Sequence, residues 1–276
     1  MESDRNSNTS FFVKAFEMHP TSEPQATAET GSAAAPSSSS PEELVERMRA
    51  GTLTEVHYQP IVHLRTGKLL VFEVLCRPLA DASRSPREMI DAMNETRLIG
   101  EFGRHVRRLG TAGCPNHGLS INVEPYELDQ ALLVRPDDPI FSHRHPIFLE
   151  ITETVPIEVF EQCHPVLEEL RRRGVRLAID DLGAGFSNLK YISELRPALV
   201  KLDRKLLASV AIGSRDFRLL RSIVRLVHEM DAHVVAEGIE ISEELYAARE
   251  AGVDFGQGYL LGRPAPTPNH VLVPFE

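Results

Sequence analysis

Two kinds of apolar pattern alternate along the chain. Short, nearly unbroken apolar runs recur at residues 56–64, 69–75, 119–123, 147–151, 175–179, 198–202 and 234–236, with a shorter one near 258–261. Runs of this length without alternation predict strands covered on both faces. Between them, apolar residues recur at helical spacing. Over 217–230 they fall at Phe217, Leu220, Ile223, Val224, Val227 and Met230, with Ser214 placed to cap the first turn. Residues 155–173 also carry a helical pattern, which Pro165 is expected to kink or divide. Gly174 closes that helix, and Arg171 to Arg173 sit at its negative end. Repeated strand–helix units predict an α/β fold, either a (β/α)8 barrel or an open doubly wound sheet.

Polar residues close these runs at one end. Asn122, Glu150, Asp180, Lys201 and Glu237 each stand at or near the C-terminal end of a different predicted strand. Barrel active sites are assembled in this way, which decides for the barrel. No GxGxxG or Walker pattern offers the nucleotide site of an open sheet, and Gly183–Ala184–Gly185 reads as a tight turn. Glu73 lies inside the apolar run LLVFEVL. A carboxylate there must be paired or metal-bound, so an ion pair with Arg77 and a ligand role both stand. Asp180 and Asp181 adjoin, and neighbouring carboxylates repel unless a cation or proton lies between them. A helix cap explains one of them, but not both together with Glu150 and Glu153. Asn122 adds a neutral oxygen, and Lys201, between Val200 and Leu202, needs a carboxylate partner. Oxygen-only ligands suit Mg²⁺ or Mn²⁺. Two such ions sharing Asp180, about 3.5–4 Å apart, would activate water and clamp both oxygens of a phosphodiester.

The beginning of the 276-residue chain differs from the rest. Its stretch TSEPQATAETGSAAAPSSSS is small, polar and proline-dotted, which predicts a disordered tail over 1–39. Phe11, Phe12, Val13 and Phe16 form a short motif able to dock an unknown protein, although stray aromatics in a solvated tail are the simpler reading. Order is expected from Ser40, a helix cap followed by Pro41 and a capping-box Glu43, with Gly51 as the stop. Residues 40–276 then read as one globular unit. A net charge of -10 argues against broad binding to duplex nucleic acid or anionic membrane, while leaving room for one small phosphate ligand held through metal. No apolar run approaches the ~18 residues of a membrane span. The first residues lack the basic-then-apolar pattern of a secretory signal. Cys76, Cys114 and Cys163 are too few for a disulfide framework, in keeping with a reducing, cytoplasmic setting. His57, His63, His143 and His145 read as structural or solvated, since no metal-ligand spacing joins them. Without a GxSxG elbow, and with no base partner evident for Cys76, nucleophilic serine or cysteine catalysis is disfavoured.

The segments YQPIV, EVLCR, SINVEP, LEITET, AIDDLGAGFSNL, VKLD, VVAEGIE and GQGYLLGRP, in that order, resemble the EAL domain family over residues 52–266. The resemblance implies a (β/α)8 TIM-like barrel of the EAL type that hydrolyses cyclic di-GMP to linear pGpG with Mg²⁺ or Mn²⁺. It implies Glu73, Asn122, Glu150 and Asp180 at one metal, and Asp180, Asp181 and Glu237 at a second. Lys201 would hold or help deprotonate the attacking water, and Glu153 would order the loop after Asp181. Arg77 would contact a phosphate, and Gln59 and Gln257 match the family's site glutamines. Val74 stands where the name-giving motif has alanine. Leu182 and Ala184 replace the phenylalanine and threonine of DDFGTG, in a loop that in the family couples metal binding to homodimer contacts. The segment after Arg77 is shorter and lacks the usual tryptophan–arginine pattern. No GGDEF motif or sensor domain is visible. The leading reading is therefore a cyclic di-GMP phosphodiesterase. The alternative is a catalytically silent EAL domain acting as a nucleotide receptor or protein-binding regulator. The retained ligands and lysine favour the enzyme.

Overall fold

A computed structural model describes residues 40–79, 85–129, 132–152, 157–183, 190–208 and 210–269. The expected tail over 1–39, with its Phe11, Phe12, Val13 and Phe16, lies outside the described residues, as do Glu153, Ala184 and Gly185. The first helix, α1 (Pro41–Ala50), begins where the sequence places it. The Ser40 side chain accepts from the Glu43 N–H, and Gly51 ends the helix in a left-handed turn with φ 68°. The cap is this single bond rather than the expected reciprocal box. The reciprocal form occurs instead at α2 (Pro86–Glu95), between Ser85 and Glu88.

Eight strands close a barrel in sequence order. They are β1 (Thr54–His63), β2 (Leu69–Pro78), β3 (Leu119–Asn122), β4 (Ile147–Thr152), β5 (Arg176–Leu182), β6 (Leu199–Leu202), β7 (His233–Ala236) and β8 (Phe255–Gly256). Around them run α3 (Ile99–Gly113), α4 (Pro125–Asp129), α5 (Ile157–Arg172), α6 (Lys190–Leu195), α7 (Arg215–Glu229) and α8 (Ser242–Ala251). Strands β2 to β8 are parallel to one another. β1 is antiparallel to both of its neighbours. The reason is the turn to β2, where the His63 ring accepts the Arg65 and Thr66 N–H groups. So short a link cannot carry a crossover, so the chain must double back.

Two expectations shift. The last strand is Phe255–Gly256, not 258–261, where Leu261 N–H bonds the Gly258 carbonyl in a turn. Pro165 sits within an undivided α5. One missing hydrogen bond is tolerated there because Cys163, Leu167 and Leu170 are buried. α7 starts as expected, with Ser214 accepting from the Phe217 N–H.

Ile61, Val71, Phe148, Ala178, Leu199 and Val235 pack together as an apolar floor. Burying each larger aliphatic or aromatic side chain contributes about 1.5–3 kcal/mol. Side chains alternate along a strand, so the next inward position lies two residues toward the mouth. In β2, β4, β5, β6 and β7 that step leads from the floor to Glu73, Glu150, Asp180, Lys201 and Glu237. On the reversed β1 it leads from Ile61 back to Gln59. A dry floor thus carries a polar layer at the strand ends.

Candidate metal and phosphodiester site

Lys201 is the centre of this layer and is 1% exposed. Its ammonium lies 2.7 Å from Glu237 Oε1, 2.9 Å from Glu150 Oε2, 2.9 Å from Asp180 Oδ1 and 3.6 Å from Glu73 Oε2. Asn122 Nδ2 donates to Glu73 Oε1 at 3.1 Å. Gln257 Nε2 donates to the other Glu73 oxygen and, at 3.1 Å, to Gln59 Oε1. Gln59 in turn donates to the Gly262 carbonyl at 3.0 Å. Ser120 donates to Glu150 Oε1 at 2.5 Å.

Adjacent strand residues normally face opposite sides of a sheet. Asp180 and Asp181 escape that rule. The β5–β6 register shifts between Ile179 and Leu182, and Asp181 adopts φ 58°. Aspartate is among the few side chains that tolerate this left-handed conformation. The bulge keeps both carboxylates near the mouth. Glu237 approaches from the turn after β7, held by its N–H to the Leu202 carbonyl at 3.1 Å. One oxygen each from Asp180, Asp181 and Glu237 falls within 4.8 Å of the others.

The charge in this layer is unbalanced. Burial, with Glu73 and Asp180 nearby, holds the Glu150 carboxyl well above its ordinary range despite Lys201. Burial and Asp180 push Glu237 up to about 8, and Asp181 up to about 6. Burial alone would lower the Lys201 ammonium, but Asp180, Glu150, Glu237 and Glu73 outweigh it and hold it well above its ordinary value. Among the described residues, Asp180 Oδ1 is buried and accepts no aligned hydrogen bond, although Lys201 lies close enough for an ion pair. At 2.9 Å but out of hydrogen-bond alignment, that contact is charge attraction. An oxygen-only donor set, an orphaned acceptor and surplus negative charge fit a hard divalent cation.

The structure brings Gln59, Glu73, Asn122, Glu150, Asp180, Asp181, Lys201, Glu237 and Gln257 to one mouth. Arg77 is not joined to Glu73 in the ion pair that the sequence allows. It lies further along β2 and donates to the Cys76 carbonyl at 2.9 Å. The histidines take structural roles: His57 meets Glu55 at 3.0 Å, and His143 meets the His117 carbonyl at 2.8 Å. Two features escaped the sequence reading. Ser120 stands two residues before Asn122, on the same inward parity, and that spacing would have found it. Tyr259 and Glu240 line the cavity of about 260 Å³ that also holds Gln59, Glu73, Glu237 and Gln257. Tyr259 lies within the GQGYLLGRP segment and is 51% exposed.

Residues 42–264 match the EAL domain family. The cyclic di-GMP phosphodiesterase NbdA of Pseudomonas aeruginosa is 32% identical over 250 residues, covering 82% of this chain and 30% of that protein. The cyclic di-GMP phosphodiesterase PdeB of Shewanella oneidensis is 30% identical over 225 residues, covering 76% of this chain and 26% of that one. The chain thus spans about a third or less of the length of these relatives. Among solved structures, the calcium and cyclic di-GMP complex of Klebsiella pneumoniae BlrP1 at pH 8.0 superposes with a TM-score of 0.68 at 30% identity, over 78% of this chain and 56% of that one. Its manganese and cyclic di-GMP complex at pH 6 gives 0.70 at 29% identity, over 80% and 58%.

Proposed function

The chain belongs to the EAL domain family, and on that premise we propose that it is a cyclic di-GMP phosphodiesterase. The observation that carries this reading is the convergence of Glu73, Glu150, Asp180 and Glu237 on Lys201 beneath a mouth lined by Gln59 and Gln257. Glu73, Asn122, Glu150 and Asp180 would hold one cation, and Asp180, Asp181 and Glu237 a second, with Mg²⁺ or Mn²⁺ suited to the oxygen donors. Such ions, when bound, supply Lewis acidity and a water acidic enough to react near neutral pH.

The chain's own residues do the rest. Lys201 stays charged among its carboxylates, so it serves as a hydrogen-bond donor and a fixed positive charge rather than a base. It would hold the attacking water in line with phosphorus. The water oxygen bonds to phosphorus and gives up one proton, one P–O3′ bond breaks, the departing O3′ takes up a proton, and the product is linear pGpG with a terminal phosphate. Gln59 and Gln257, already bonded to each other, with Gln257 also donating to Glu73, would anchor the nucleotide. Arg77 would meet a phosphate, and Glu153 would order the loop after Asp181. The working unit in this reading is 40–276, acting in the cytoplasm.

The test is incubation of purified protein with cyclic di-GMP and Mg²⁺ or Mn²⁺, followed by separation of products. Formation of pGpG is expected. Binding without any pGpG would instead favour the receptor reading. Neither binding nor product would remove both.

A further inference from the structure

A second cavity, of about 460 Å³, lies between α1, α3 and the segment after α4, and shares no lining residue with the barrel mouth. Its charged lining is mostly basic. α1 contributes Arg49, α3 contributes Arg104 and Arg108, and the segment after α4 contributes Arg135. Glu101 and Asp137 are its acids. Asp137 is already engaged by Arg104 at 2.6 Å and by Arg135 at 3.4 Å. A concentration of arginine like this is unexpected in a chain of net charge -10.

One neighbour completes the picture. The Arg108 guanidinium lies 2.9 Å from His105 Nδ1. Arginine can only donate, so Nδ1 accepts and the ring proton of the neutral imidazole sits on Nε2. Burial, and then Arg108, lower the His105 pKa, which keeps the ring neutral. His105 lines the cavity and is only 7% exposed, and among the described residues its Nε2 has no hydrogen-bond partner. A buried N–H without an acceptor is unusual in a native fold. What the ring gives the cavity is its other nitrogen, which accepts from Arg108 and orients that guanidinium.

We propose that the cavity binds a small phosphorylated anion, its oxygens met by Arg49 and by Arg108, which His105 Nδ1 orients, and its organic body resting on Val45, Met48 and Leu132. The volume suits one small molecule, and this site stands or falls independently of the phosphodiesterase reading.

The full chain is melted in EDTA with inorganic phosphate, pyrophosphate or a sugar monophosphate, each against sodium chloride of equal ionic strength. Asp180→Asn is run beside it, to keep the barrel mouth out of the result. The melting midpoint is expected to rise with the phosphates and not with chloride, equally in both proteins. The double variant Arg49→Ala/Arg108→Ala, both exposed positions, is expected to weaken binding at least about tenfold. A sugar phosphate that binds more tightly than inorganic phosphate assigns an organic ligand, and equal affinities assign the free ion. No rise in the wild type, or an undiminished rise in the double variant, overturns the site. If that variant folds poorly, the His105 Nδ1 nitrogen resonance of the wild type decides. It should move as phosphate is added, and a fixed resonance would refute the proposal.

Discussion

Lys201 is one ammonium among four carboxylates, so its two roles, balancing charge and placing water, must be separated by experiment. Removing one partner from a buried ion cluster costs about 3–5 kcal/mol. Lys201→Met is therefore expected to lose stability of that order in EDTA, read by urea denaturation. Turnover should fall by about 100-fold or more, while Ca²⁺ affinity, measured by calorimetry, stays within a few-fold. Normal turnover would leave the water to be placed by Asp181 and Glu237 alone. The same residues set a pH dependence. Glu237 is pushed up to about 8 and Asp181 to about 6. A protonated carboxyl is a poor cation ligand, so cation uptake near pH 7 should release protons. Affinity is expected to climb as pH rises from 6 to 8 and then level off. Titrations in two buffers of different ionisation heat would reveal the released protons, and equal heats would count against it. Without cation the sign is opposite for stability. The folded state binds these protons more tightly than the unfolded chain, so stability should be full below the ordinary carboxylate range and decline as pH climbs through 6 to 8.

At the scale of the element, the segment after β8 shows how tightly the site is packed. A side chain at Gly258 would run into the backbone of Ile239. Gly258→Ala should cost about 1–3 kcal/mol through overpacking. It should also shift Gln257, whose N–H is tied to the Ala236 carbonyl at 2.9 Å. Urea denaturation and nucleotide affinity would both read the change, and unaltered values would show that the turn can move aside. Gly258 also marks a limit of sequence reading. Hydropathy located the apolar run there but could not tell a strand from a turn, because the turn is made by backbone bonds from the Leu261 and Gly262 N–H groups to the Gly258 carbonyl, which no side chain announces. The reversal of β1 was hidden for a related reason, since an apolar run has no direction. The bulge at Asp180 and Asp181 depends on register with β6, which no local pattern carries. Buried Arg107 gave no signal at all. It joins Glu127 at 2.5 Å and Asp138 at 3.0 Å, and these partners are distant in sequence. The acids and lysine at the strand ends, by contrast, were plain. An ionisable residue closing an apolar strand has few uses other than facing a barrel mouth. Ser40, Gly51 and Ser214 were equally plain, because capping is decided within one turn.

Taken as a whole, the barrel is a bracelet with a clasp. β1 runs beside β2 from Thr54↔Pro78 to Val62↔Leu69. It meets β8 at Val62↔Gly256 and His63↔Phe255, continued by the Leu64 N–H to the Asp254 carbonyl at 2.9 Å and by a bridge from Tyr58 to Ala265. β8 pairs with β7 over two residues as well, at Val235↔Phe255 and Ala236↔Gly256, so the short last strand is held by few backbone bonds on either side. Local opening is cheapest where few hydrogen bonds must break. Amides of Val62 and Gly256 should exchange with deuterium sooner than those of β4 and β5, and uniform protection would show the ring to be evenly strong. Gln59 stands on one side of the clasp and Gln257 on the other, linked by a single side-chain hydrogen bond of 3.1 Å from Gln257 Nε2 to Gln59 Oε1. A nucleotide gripped by both would span the join like a rivet. It would then slow exchange most at the clasp, and the ligand would itself be part of what keeps the ring shut.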